Sequence, residues 1–441
     1  MKKKVTRKET RECLTNFCLG CELVKVTRRF FPDLMERLGR IADPRHQAYV
    51  KYKSHVLLAT RILSAIFYIS SMRKISEELN CEIGIENIGR FCGEDLEEAP
   101  YRETMNNYLE RVNPEELQNT VCALVKRLIR SRAFENARIR GKYWQILIDA
   151  TGITSSRHEL DGNYIFKVHR KGTAEEYKEY FYYALEAKLV LGNNIVVSVM
   201  TEFVENKDGE RDKQDCGRKA CKRLMKRLKE MFPNLPICVS GDSLYACKPF
   251  FQACKEYHWR YIVRYKEGSI PGVFQEYEAL RKLEGHPGKG KNGKISYRYD
   301  FVNAIDYEGH KLNCLEYAED GKRHPFLFLT DLPLSRRNAP ETAFFGRRRW
   351  KIENQGFNAQ KNHGFSLGHL FSRNYQAMKN HYYLIQIGHM IAQIMDAWES
   401  LWKSVRQSKE QKHRRILESW KTQRLSDFDL QTPSRFQIRL E

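Results

Sequence analysis

Two short apolar runs, each closed by an aspartate, limit what this chain can fold into more than any other feature. Trp144-Gln-Ile-Leu-Ile-Asp149 and Ile237-Cys-Val-Ser-Gly-Asp242 both read as buried strands. In each, the carboxylate follows the apolar residues and precedes a small one, Ala150 or Ser243. That predicts a position at the carboxyl end of a strand, where open α/β sheets place their sites.

The rest of the pattern builds a sheet around them. Tyr180 to Leu191 and Asn194 to Val204 predict two more strands joined by a hairpin at Gly192-Asn193. Asp212 to Met231 predicts a basic helix carrying Lys219, Lys222, Arg223, Lys226, Arg227 and Lys229. A helix from Lys248 to Tyr257 and a strand from Trp259 follow. The stretch 266–324 changes character. It has a loop at Gly285–Gly293 and two alternating strands, and it reads as a β-rich insertion. Pro325 to Asp331 returns to buried-strand character, with Pro333 behind Asp331 marking a turn. Ala339 to Lys361 and Asn374 to Trp402 predict helices.

Upstream, residues 1–44 read as basic and irregular, and 45–140 as a series of short helices. Pro114 falls where a helix begins. Short helices with polar turns fit either a helix-turn-helix module or a plain bundle. The expected divisions are therefore 1–44, 45–140, a core of 141–265 and 325–402 interrupted by 266–324, and a basic tail at 403–441.

Lys and Arg exceed Asp and Glu by 21 charges, which favours a polyanionic partner through counterion release. No run of about 18 apolar residues predicts a transmembrane helix. The charged start lacks the apolar stretch of a signal peptide, so the expected compartment is the cytoplasm. The 12 cysteines then read as thiols. Cys13, Cys18 and Cys21 supply at most half a zinc site. There is no Gly-rich phosphate loop, so no nucleotide cofactor is expected.

A third acid, Glu353, lies on the expected late helix in Arg347-Arg-Arg-Trp-Lys-Ile-Glu-Asn. Each acid also has a plain alternative. The aspartates suit turns or helix caps, and Glu353 suits an i,i+4 pair with Arg349. Trp350 reads as core. His158 and His169 show no ligand pairing, and His363 in Lys-Asn-His-Gly reads as a helix-end residue. Together, three carboxylates supplied from distant segments are a set of oxygen donors for hard divalent cations.

These residues resemble the DDE transposases of bacterial insertion sequences, in the group with a β-rich insertion before the final Glu. Asp149 in Ile-Asp-Ala-Thr-Gly, Asp242 in Gly-Asp-Ser-Leu-Tyr and Glu353 in Arg-Arg-Trp-Lys-Ile-Glu-Asn carry the resemblance, which spans roughly residues 140–400. Tyr245 and Arg349 fall at the group's spacings. The group's Tyr and Lys positions hold Gly346 and Gln360 instead, with Phe345 and Lys361 one place away.

The resemblance implies an α/β ribonuclease H-like core. It implies that Asp149, Asp242 and Glu353 hold two Mg²⁺ or Mn²⁺ ions for an in-line displacement at phosphorus. It implies double-stranded DNA partners, both transposon terminal repeats and target, and a homodimer on DNA. Arg349, Lys361, Tyr245, Lys222, Arg223, Lys226 and Arg227 are the expected DNA contacts. The alternatives are a repurposed DNA-binding protein of the same origin, without activity, and a ribonuclease H-like nuclease.

Overall fold

The computed structural model describes residues 18–192, 194–206, 215–369, 371–402 and 407–431. Among the described residues ten strands form a single mixed sheet. They are β1 (Trp144–Ser156), β2 (Ile165–His169), β3 (Tyr177–Val190), β4 (Val196–Val204), β5 (Ile237–Gly241), β6 (Arg260–Tyr265), β7 (Gly288–Asn292), β8 (Ile295–Tyr307), β9 (His310–Glu319) and β10 (Phe326–Thr330). Their order is β2-β3-β1-β5-β6-β10-β9-β8-β7, with β4 also paired to β3.

The parallel core is the β1, β5, β6 trio. β1 and β5 are wholly buried up to the aspartates, which is why they read as apolar blocks rather than alternating strands, and β6 is buried except at Arg260 and Arg264. β1 is internal, as expected. It does not end at Asp149, however, but continues to Ser156. Antiparallel pairing with β3 supports that extension, while pairing with β5 covers only Trp144 to Leu147. Asp149 therefore lies where one edge of β1 loses its partner. The hairpin of β3 with β4 is present, closing from Val190 opposite Val196. Asn193 of its turn lies outside the described residues.

The insertion is β-rich, but it is not a separate sheet. It opens with a helix, Pro271–Glu284, that the sequence reading left out. Its strands then join the main sheet through β9 beside β10.

The first described residues also depart from expectation. Leu19–Phe30 and Leu34–Gly39 are helices, where irregular chain was expected. The first has basic residues on one side and a buried face of Leu23, Val24, Val26 and Phe30, so its apolar stripe was hidden by its charge. Asn113 caps the Pro114–Arg130 helix, as the proline signal predicts. The helical region wraps the long helix Tyr375–Asp396, which is buried along nearly its whole length. The described part of the tail carries helices too. Lys409–Thr422 packs on Leu19–Phe30 and Glu82–Cys92, and Asn87 Nδ2 donates to the Trp420 and Gln423 carbonyls. Among the described residues no helix is long and apolar enough to cross a membrane.

Candidate active site

Asp149 and Asp242 are brought together by strand register. In the parallel β1/β5 pair Leu147 lies opposite Ser240. Asp149 and Asp242 each stand two residues further on, just past the last paired rung, so both acids come to the same end of this strand pair. Gln145 ties this ladder to the third segment. Its Nε2 donates to Ser240 Oγ at 2.9 Å and to the Phe345 carbonyl at 2.7 Å.

Each aspartate has one oxygen fixed by a backbone N–H. Ala150 N donates to Asp149 Oδ1 at 2.8 Å, and Leu244 N donates to Asp242 Oδ1 at 2.9 Å. Asp242 thus fulfils the plain reading, as the cap of the short turn Ser243–Tyr245. The same bond fixes the direction of its second oxygen, so the cap does not compete with a role in a site.

Glu353 comes in on a helical stretch that changes pitch. Ala339–Arg347 is α-helical, but Ile352–Asn358 is π-helical, with Glu353 in its first turn. Wide π turns recur at functional sites. Ile352 and Phe357 from this segment pack on Leu147, Val190 and Val196 of the sheet. Arg349 then joins the two sides. Its Nη1 donates to Glu353 Oε1 at 2.9 Å and to Asp149 Oδ2 at 3.1 Å.

Burial pushes the Asp149 carboxyl up to about 6. Its near neighbours Asp242 and Glu353 push the same way, while the Ala150 N–H and Arg349 oppose the shift. All three acids therefore share one electrostatic environment. Tyr183 of β3 belongs to it as well, its hydroxyl raised by burial and then by Asp149 and Asp242. Nothing in the Tyr180-Phe-Tyr-Tyr run marked Tyr183 in the sequence. Its place near the acids comes only from β3 lying beside β1.

The chemistry of this donor set fits hard divalent cations. Its three acids offer carboxylate oxygens, and burial holds the Asp149 carboxyl in a state that a nearby cation would relieve. A cationic group, the Arg349 guanidinium, already bridges two of the three acids. In this arrangement no group of three or more His, Cys, Asp or Glu among the described residues is gathered tightly enough to hold a metal. For the cysteine cluster, Cys13 lies outside the described residues, and Cys18 caps a helix by accepting from Cys21 N at 3.3 Å.

The remaining expected residues scatter. Tyr245 is buried, its ring against Gly241, where a Cβ would stand 2.5 Å from Tyr245 Cδ2. It shapes the turn that presents Asp242 and has little surface to offer DNA. Lys361 is half-buried, and burial lowers its pKa. Lys222 and Lys226 are exposed on their helix. Arg223 pairs with Glu202 and Asp215, and Arg227 with Glu202 and Glu115. The basic helix therefore has two kinds of cation.

Trp350 corrects the sequence reading. It is 49% exposed rather than core, with the Arg349 guanidinium 5.4 Å from its ring centroid. The departures from the group signature also have physical reasons. Gly346 lies against the Phe328 ring, and Gln360 is fully buried, with Nε2 donating to Gln386 Oε1 at 2.6 Å. Asp331 is structural, accepting from Arg260 Nη1 and Tyr261 N.

A search of curated proteins finds no match. The family model described as the transposase DDE domain matches residues 140–391, from just before β1 to the long helix behind Glu353. That match covers more than half of the chain and all three acids, and the protein belongs to the transposase DDE domain family.

Proposed function

We propose that this protein cuts DNA strands at the ends of a mobile element and transfers them into target DNA, with Asp149, Asp242 and Glu353 as its metal-holding carboxylates. Membership of the family carries transposition chemistry on DNA, a ribonuclease H-like core and the use of divalent metal ions. The observation supporting the residue assignment is the bridge from Asp149 through Arg349 to Glu353, with Asp242 two residues past the last β1/β5 rung, as Asp149 is.

Two Mg²⁺ or Mn²⁺ ions held by these acids would supply Lewis-acid stabilisation of the attacking and leaving oxygens. The chain's own residues orient the reaction. The backbone N–H groups of Ala150 and Leu244 hold the aspartates in place. Arg349, released from its carboxylates, offers a planar guanidinium suited to phosphate oxygens. Trp350 presents an exposed indole beside it. Joining two element ends requires two such sites, so we expect a homodimer on DNA.

The test is metal-dependent cleavage and joining of DNA carrying the element's own ends. Wild type should cut and join. Asp149→Ala, Asp242→Ala and Glu353→Ala should each lose both activities while still binding DNA. Binding without cleavage by wild type would instead identify a repurposed DNA-binding protein. Cleavage without joining would identify a nuclease.

A further inference from the structure

Directly beneath the Glu353 segment the sheet carries a fully buried charge pair. Glu186 and Lys188 of β3 are both 0% exposed, with Lys188 Nζ 3.3 Å from Glu186 Oε2. Glu186 is the cross-strand partner of Asp149, so the pair shares Asp149's face of the sheet. A buried ion pair is expensive to desolvate and gives little net stability, so its presence needs another reason.

Its surroundings supply one. Glu186 is saturated, accepting from Ser198 Oγ, Thr201 Oγ1 and the Tyr382 hydroxyl. Lys188 is pinned at its tip, donating to Gln386 Oε1 at 3.0 Å. The same oxygen accepts from Gln360, so the network reaches the helix that continues the Glu353 segment. The Lys188 stem lies directly against Gly356, in the π-helical stretch. A Cβ on Gly356 would stand 3.1 Å from Lys188 Cδ. Lys188 Nζ is also 5.4 Å from the centroid of the Phe357 ring. One charged side chain thus spans from the strand paired with Asp149 to the segment that carries Glu353.

We propose that Lys188 is a positioning residue that seats the π-helical segment on the sheet and so sets Glu353 against Asp149. This rests on the reading of Glu353 as the third metal-holding carboxylate. Gly356 makes room for the Lys188 stem, and the bond of the ammonium to Gln386 holds the stem there, so a stem without that bond no longer seats the segment. Glu186 neutralises the ammonium that the stem brings into the interior. Groups hydrogen-bonded directly to metal ligands typically change affinity by about 10–100-fold when removed, and Lys188, one step further out, belongs at the lower end.

The test measures Mn²⁺ binding to the full chain, without DNA, from the electron paramagnetic resonance signal of the free ion. Lys188→Met keeps the length of the stem and removes its charge and hydrogen bond. It should weaken Mn²⁺ binding about tenfold or more. The charge-balanced Glu186→Gln/Lys188→Met double variant covers the case in which the single variant fails to fold, and it should show the same loss. Gly356→Ala, which displaces the stem, should act in the same direction. In a Glu353→Gln background, Lys188→Met should have no further effect, because the group it positions is gone. A merely structural lysine would lower affinity equally in both backgrounds, and that result overturns the proposal. Wild-type affinity in the charge-balanced variant also overturns it. A Glu353→Gln protein that binds Mn²⁺ like wild type would remove the reading of Glu353 itself.

Discussion

Arg349 uses a single nitrogen, Nη1, to hold Asp149 Oδ2 at 3.1 Å and Glu353 Oε1 at 2.9 Å, across 200 residues of sequence on the Asp149 side. The Arg349 and Asp149 side chains are 12% and 19% exposed, so that half of the bridge is not a screened surface pair, whereas Glu353 is 42% exposed. It competes for the carboxylate oxygens that a divalent cation would need. It also holds those carboxylates close to each other while no metal is bound.

Replacing Arg349 should therefore separate metal binding from catalysis. Arg349→Gln is expected to tighten Mn²⁺ binding several-fold without DNA, because a competing cation has gone. The same variant should lose about 10²–10³ in cleavage rate, the usual scale for removing one preorganised donor to a charged reacting group. Titration with Mn²⁺ and single-turnover cleavage measure the two effects. Weaker metal binding in Arg349→Gln would show that the arginine orders the acids more than it competes with the metal.

The site should also respond to pH through Asp149. Its carboxyl is pushed from an ordinary 3.8 up to about 6, first by burial and then by its acidic neighbours. Protons then compete with the cation below about pH 6, and Mn²⁺ affinity should fall by up to about tenfold per pH unit there. For the metal-free protein the sign is opposite. Between about pH 4 and 6 the folded chain holds a proton that the unfolded chain has released, so stability falls as pH rises through that window and is then level. Asp149→Asn should therefore raise the melting temperature above pH 6 and leave it unchanged below pH 4. Thermal melts of both proteins across that range test it, and parallel curves at every pH would contradict the assignment.

Much of this site could be read from the sequence because it depends on strand ends. The apolar blocks before Asp149 and Asp242 are buried strands, and burial is what removes polar residues from a run. The extension of β1 beyond Asp149 was not legible, because Ala150 to Ser156 pairs only with β3 and carries polar residues on its open edge. The helices of the first described segment and of the tail were masked by lysine and arginine. Their apolar faces become visible only where they pack on each other, as Gly20 does under the Trp420 ring. Glu186 and Lys188 looked like ordinary alternation in a strand. Only the placement of the Tyr375–Asp396 helix and the π-helical segment over them reveals that both charges are buried.

Trp350 tests the distinction between aromatic content and core. Its sequence setting beside Ile352 suggested packing, yet the ring is 49% exposed, whereas Trp398 is fully buried. Trp350→Ala should change stability by no more than about 0.5 kcal/mol, the usual range for a surface substitution. Trp398→Ala should cost about 3–5 kcal/mol through transfer and cavity terms. Chemical denaturation of the two variants decides it. A large loss from Trp350→Ala would place that ring against structure in solution.

The basic helix Gly217–Met231 offers the last separation, between cations used on the protein and cations left for DNA. Arg223 and Arg227 hold Glu202, whose side chain is 13% exposed, and Arg223 also holds Asp215, at 8%. Removing Arg223 leaves partly buried carboxylates short of a partner, at a cost of about 1–3 kcal/mol. Lys222 and Lys226 face outward, and the nearest acid to Lys226 is Glu230 at 4.0 Å. Lys222→Ala and Lys226→Ala should leave stability unchanged. If these lysines follow a DNA backbone, each substitution should lower affinity uniformly across sequences and reduce the slope of log affinity against log salt by about 1. Arg223→Ala should instead lower the melting temperature, with a smaller change in that slope. Unchanged salt slopes in both lysine variants would show that this face is only solvated, and would move the DNA path to another part of the surface.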